Sequence, residues 1–172
     1  MEKKDFDISI IRPEMCQGDF KLRGHGMPSD RLKRIKKGLH TLHTLETMAV
    51  NIYKFQITKR ESELNLQLIA AMSNEMTHLQ DFQIKLFEYG FRPSKLRILF
   101  WIVGFVVGFF SRLVGTKAML KTGIGAEKKA VRHYEKLLRK IEWDEVTREI
   151  IEKDQADEYG HIKRWEAFFE KV

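Results

Sequence analysis

The sequence predicts an all-α protein, a four-helix bundle with one additional apolar helix between its two helix pairs. Apolar and small residues recur at steps of three and four over long stretches without internal proline. No stretch shows the strict alternation of a half-buried strand. The longest apolar run, ILFWIVGFVVGFF at 98–110, falls between two pairs of such stretches.

Residues 1–29 hold Pro13, Pro28 and several turn-forming glycines and aspartates without sustained periodicity, and are read as an extended arm preceding one domain at 30–172. Ser29-Asp30 is the expected cap of the first helix. The spacing then predicts helices over 30–58, 61–89, 95–113, 117–140 and 144–170. Gly90 and Pro93 mark one break, Gly115 another, and Asp144 is the expected cap of the last.

A chain of 172 residues is long enough for one domain with a real core. The lone Cys16 makes no internal disulfide, as suits a reducing compartment. The N-terminus, MEKKDFDISI, lacks the layout of a secretory signal, so a cytoplasmic location is expected. The net charge of +7 suits an anionic membrane surface. Nucleic acid is not an expected partner, because the basic residues are dispersed and no recognition motif accompanies them. At about 1.5 Å per residue the 98–110 run makes a helix of about 20 Å, shorter than a membrane span of about 20 residues. Arg97 and Arg112 bracket it, which fits a helix lying in a membrane interface; a buried crossover helix is the alternative.

The predicted buried stripes carry acid. They run Leu39, Leu42, Glu46, Ala49, Tyr53 on the first helix and Leu64, Leu68, Ala71, Glu75, His78, Phe82 on the second. On the fourth the series is Leu120, Ile124, Glu127, Val131, Tyr134, and on the last Ile151, Asp154, Glu158, His161, Trp165. A lone Glu followed by Glu-x-x-His therefore occurs twice, in the same order. A single Glu-x-x-His is weak, since a solvated pair at that spacing is the default. The repeat on four core stripes is much stronger. Four carboxylates buried together repel one another and lose their hydration, whereas two divalent cations would neutralise them. The oxygen and nitrogen donors, without thiolate, suit iron or manganese.

One Glu from each of two helices plus Glu-x-x-His from each of the others is the arrangement of ferritin-like di-metal bundles, whose halves are joined by a long crossover. On that geometry Glu75 and Glu158 are expected to bridge two metal ions, Glu46 and Glu127 to be terminal ligands, and His78 and His161 to serve one metal each. Asp154 and Asp157 are candidates to orient a ligand histidine, Asp154 the better placed. Tyr53 and Tyr134, each two turns beyond a lone Glu, and His133 are the candidate catalytic residues beside the metals. Core packing for the tyrosines and a surface position for His133 are the alternatives. His43, one turn before Glu46, is either its hydrogen-bond partner or a surface histidine. Gly123 and Gly125 either admit a substrate near Glu127 or form a loop before the fourth helix.

From about Leu39 to Phe169 the chain resembles the demethoxyubiquinone hydroxylases, ferritin-like di-iron enzymes of ubiquinone biosynthesis. HTLE with Glu46, NIY with Tyr53, NEMTHLQDF with Glu75 and His78, WIVGFVVGF, GAEKKAVRHY with Glu127, His133 and Tyr134, and DEYGH with Glu158 and His161 carry the resemblance. It implies hydroxylation of a polyprenylated quinone by O2 at two iron ions, with electrons from NADH or a reductase. It also implies peripheral attachment to the inner face of the cell membrane through residues 96–113. The apolar helix could equally pair two subunits in a homo-oligomer. Two other readings compete: a rubrerythrin-like peroxidase or ferroxidase, and a non-catalytic ferritin-like module that binds membranes or a partner.

Overall fold

A computed structural model describes residues 20–172. The part of the expected arm at 1–19 lies outside the described residues. Five helices follow, α1 (Ser29–Gln56), α2 (Glu63–Glu88), α3 (Arg97–Val114), α4 (Thr116–Lys140) and α5 (Glu145–Phe169), with no strand among the described residues. This is the expected all-α bundle with a crossover helix. α1 and α2 form one hairpin and α4 and α5 the other; α1 also touches α4 and α2 touches α5, closing a four-helix square. α3 lies outside it, packed along α1 and more lightly on α4.

The ends follow local chemistry. Ser62 caps α2 by accepting from the Asn65 N–H, and Asp144 caps α5 by accepting from that of Thr147. α1 differs from expectation: Ser29 is already helical, no side chain caps the helix, and the Pro28 carbonyl accepts the first bond, from Leu32 at 3.0 Å. Proline, with its fixed φ and missing N–H, suits the entry to a helix, where that N–H would go unpaired anyway. Gly115 has φ of 120°, a conformation L side chains rarely adopt, and this permits the abrupt turn between α3 and α4.

Two apolar clusters lie along the bundle. Ile35, Leu39, Leu42, Phe82, Leu86, Tyr134 and Ile151 fill one; Tyr53, Leu68, Ala71, Met119, Leu120 and Trp165 fill the other. The stripe residues between them are the acids and histidines.

Residues 20–28 dock on the far end of α2. The Arg23 N–H donates to the Glu88 carbonyl at 2.8 Å, and its guanidinium donates to Glu88 Oε2 at 2.6 Å and Asp144 Oδ1 at 2.8 Å. Partial burial alone would raise the Glu88 pKa, but Lys85, Arg23 and the Lys21 N–H hold it below the usual value. Burial is likewise outweighed at Asp144, by bonds from Thr147 and Tyr89 and the charge of Arg23. A carboxylate with a depressed folded pKa contributes stability above its unfolded pKa and loses it as pH falls through the folded one. Arg23→Ala should therefore cost about 1–3 kcal/mol at neutral pH, and the gap from wild type should close as pH falls below about 4. Urea unfolding at both pH values measures it.

Candidate metal centre

Three residues advance a helix by nearly one turn, so Glu75 and His78 share one face of α2 and Glu158 and His161 one face of α5. Glu46 on α1 and Glu127 on α4 face the same interior. All six side chains are buried, none more than 1% exposed. Their ligand atoms form two groups, within each of which all lie inside 4.8 Å of one another. One is Glu46, Glu75, His78 and Glu158; the other is Glu75, Glu127, Glu158 and His161. Glu75 and Glu158 belong to both, each group adding one lone Glu and one His.

Both histidines turn Nδ1 toward the shared carboxylates. His78 Nδ1 stands 3.6 Å from Glu75 and 3.4 Å from Glu158. His161 Nδ1 stands 2.8 Å from Glu75, 3.5 Å from Glu127 and 3.7 Å from Glu158. Despite this proximity, both Nδ1 atoms and all four oxygens of Glu75 and Glu158 are buried without a hydrogen bond in good alignment. Converging oxygen and nitrogen donors left unpaired in a core are satisfied by divalent cations, so these groups could hold metal.

The electrostatics agree. Burial, then repulsion from Glu158 and Glu75, pushes the Glu46 and Glu127 carboxyls well above the usual range. Burial would raise Glu75 too, but His161 and His78 bring it down to about 2. Burial opposes charge on His78, yet Glu158 and Glu75 raise it to about 12; Glu127, Glu158 and Glu75 likewise outweigh burial at His161 and raise it to about 11. Cations held by these donors would displace protons from the cluster and relieve the repulsion that raises the Glu46 and Glu127 carboxyls.

The two hairpins exchange tyrosines. The Tyr134 hydroxyl on α4 donates to Glu46 Oε1 on α1 at 2.7 Å, and the Tyr53 hydroxyl on α1 donates to Glu127 on α4. Both phenols are buried, and burial followed by the neighbouring carboxylate raises both pKa values well above normal. Each lone Glu is thus oriented from the opposite hairpin. His133 is not brought to the cluster: it is half-buried in a surface groove with His40, Leu45 and Phe100, its Nδ1 2.8 Å from the Lys129 carbonyl.

Of the two aspartates, Asp157 makes the closer contact, with Oδ2 3.2 Å from His78 Nε2 and 3.3 Å from Asn74 Nδ2. Asp154 is 3.9 Å from the same nitrogen, fully buried with both oxygens unpaired, and burial with repulsion from Asp81 and Asp157 outweighs His78 to raise its pKa to about 7. His43 is buried rather than on the surface, makes no hydrogen bond to Glu46, and has its pKa lowered chiefly by burial. Gly123 and Gly125 lie inside α4, not in a loop. At Gly123 a Cβ would stand 3.3 Å from the Trp165 ring, which uses that space. Trp165 also donates from Nε1 to the Tyr53 hydroxyl at 2.9 Å, a link the sequence left unassigned although Trp165 follows His161 by one turn on the stripe.

Curated relatives include 3-demethoxyubiquinol 3-hydroxylases of Alcanivorax borkumensis, 29% identical over 78% of this chain, and of Bordetella petrii, 31% identical over 77%. The NADPH-dependent 3-demethoxyubiquinone 3-hydroxylase, mitochondrial, of Dictyostelium discoideum is 28% identical over 77%. The matches span 63%, 60% and 64% of those relatives' own lengths. Residues 33–166, which include all six clustered acids and histidines and both tyrosines, match the family described as ubiquinone biosynthesis protein COQ7, and the chain belongs to that family.

Proposed function

We propose that the protein is a di-iron monooxygenase that hydroxylates the ring of a polyprenylated, demethoxyubiquinone-like precursor with O2 and an external two-electron donor. The observation that carries this reading is the pair of four-residue groups sharing Glu75 and Glu158 in the bundle core. Glu75 and Glu158 would bridge, Glu46 and His78 would complete one position, and Glu127 and His161 the other. Two iron ions, once reduced, supply the capacity to activate O2; manganese is the alternative fit to the same donors. Tyr134 and Tyr53 hold the terminal carboxylates in place, and Asp157 accepts from His78 Nε2–H, which leaves Nδ1 free to ligate. The apolar layers above and below exclude water. The donor is a pyridine nucleotide or a reductase, in keeping with the name of the Dictyostelium relative.

The substrate's long tail calls for a lipid surface. α3 is apolar and long enough by composition to cross a membrane, with 17% of it buried. One face lies on α1, with Gly104, Gly108 and Ser111 buried, while Trp101, Ile102, Val106 and Phe110 are exposed. A helix committed on one side to the bundle would lie in the interface rather than span it, on the cytoplasmic side of the cell membrane.

The test is to load the protein with ferrous iron and supply a demethoxyubiquinol analogue, reductant and ¹⁸O2. One labelled oxygen on the ring is expected; unlabelled or absent product with iron bound would overturn the proposal. Asp157→Asn should weaken metal affinity about 10–100-fold, read by titration in metal-buffered solution. Val106→Asp, on the exposed face of α3, should weaken binding to anionic liposomes by about tenfold or more without changing iron content; sedimentation with vesicles measures it. Phe105 is the poorer probe, because its ring packs on Phe55 at 4.6 Å.

A further inference from the structure

A cavity of about 590 Å³ opens at the end of the bundle where α1 and α5 finish and α2 and α4 begin. Its buried lining includes Gln56, Leu68 and Met119, and Arg60 and Arg112 stand at its rim. Leu68 precedes Glu75 by seven residues and Met119 precedes Glu127 by eight, so the lining lies about 10–12 Å along the helices from the cluster. Between the two lie Tyr53 and Trp165. They pack with Leu68 and Met119 in one cluster, their rings 5.6 Å apart, and Tyr53 bonds to Glu127.

The polar chemistry of this cavity is specific. Gln56 is fully buried. Its Nε2 donates to Ser111 Oγ at 2.9 Å and points toward the Met119 carbonyl at 3.5 Å, which fixes the amide orientation. Its Oε1 is left buried with no hydrogen-bond partner among the described residues. A buried acceptor without a donor is costly, and an O–H on a bound molecule would satisfy it. The rim continues at Arg112 and Gly115 into the end of α3, where Leu113 and Val114 are 63% and 78% exposed. A ligand with a hydroxylated ring and a long apolar tail matches one wall of the cavity: ring against Leu68 and Met119, hydroxyl on Gln56, tail along α3, while Thr58, Glu63 and Asn65 make the opposite wall polar.

The geometry points to this cavity as the port through which the ring of a lipid-borne hydroquinone reaches the cluster, with Gln56 Oε1, once the side chains around it part to uncover it, accepting from a ring hydroxyl and the Tyr53–Trp165 pair closing the inner end. This rests on the functional reading above. Passage requires that Trp165 release Tyr53 and move off the backbone at Gly123, against which its ring lies.

Binding is measured by anaerobic equilibrium dialysis of a polyprenyl-tailed hydroquinone and its oxidised quinone in detergent, on ferrous-loaded protein. In a Cys16→Ser background, Thr116→Cys carries a bulky maleimide at this rim and Lys33→Cys carries one at the surface groove beside His133. The Thr116 adduct should weaken both ligands about tenfold and the Lys33 adduct neither. Gln56→Leu should weaken the hydroquinone about tenfold and the quinone, which has no hydroxyl to donate, by less than about twofold. Wild-type affinity in the Thr116 adduct, or loss in the Lys33 adduct instead, would overturn the port. Equal weakening of both ligands by Gln56→Leu would overturn the hydrogen-bond assignment. A wild-type protein that binds neither ligand would overturn the functional reading and the port together.

Discussion

Glu75→Ala should lose both metal ions, whereas Glu46→Ala and Glu127→Ala should each lose one. The difference follows from position. Glu75 belongs to both ligand groups, and each lone Glu belongs to only one. Glu75 is also the carboxylate whose charge the buried histidines stabilise, its pKa held at about 2 by His161 and His78 against the effect of burial. Removing it leaves two imidazoles, ring centroids 6.5 Å apart, with Glu158 the one carboxylate still common to both groups. The proposed hydroxylation should be undetectable in Glu75→Ala, with helix content preserved by the apolar clusters on either side. Iron analysis with circular dichroism checks this, and two irons retained by Glu75→Ala would refute the sharing.

Gly108→Leu should loosen α3 from the bundle and leave the cluster intact. Backbone meets backbone where α3 crosses α1. A Cβ at Gly104 would stand 2.5 Å from the Met48 carbonyl oxygen, and one at Gly108 would stand 3.0 Å from Ile52 Cα and closer still to the Ile52 carbonyl oxygen. The G-x-x-x-G spacing at 104–108 is thus a contact surface, as small residues at this spacing are elsewhere. A leucine there can only push the helices apart, at a cost of about 3 kcal/mol, the upper end for over-packing. α3 supplies no residue to either ligand group. Urea unfolding should therefore register the change while iron content per folded chain does not; unchanged stability would contradict the close packing.

Sequence and structure agree on the helices to within about two residues at each end, because the breaks are chemical. Ser62 and Asp144 cap, and Gly115 turns with positive φ. The gathering of six acids and histidines was legible because helical periodicity assigns a face, and all six lie on predicted core stripes. What periodicity does not assign is a neighbour across the bundle. Asp154 is on the stripe, yet Asp157 at its edge, 40% exposed, reaches His78 more closely, because α5 there packs beside α2. His43 was left between surface and core for the same reason, since the groups beside it include Gln83 of α2 and Arg97 of α3, which no spacing along α1 reveals. The pairing of Tyr53 with Glu127 and of Tyr134 with Glu46 joins residues 74 and 88 apart. No spacing along one helix encodes it. His133 adjoins Tyr134 in sequence but is turned about 100° away around the helix, enough to place it in the surface groove.

In the proposed two-metal site Glu75 and Glu158 are shared. The most direct measurement is anaerobic reconstitution with ferrous iron, followed by iron analysis and Mössbauer spectroscopy of the oxidised protein. Two irons per chain, magnetically coupled through shared carboxylates, are expected. One iron or none, or two irons without coupling, would contradict that site.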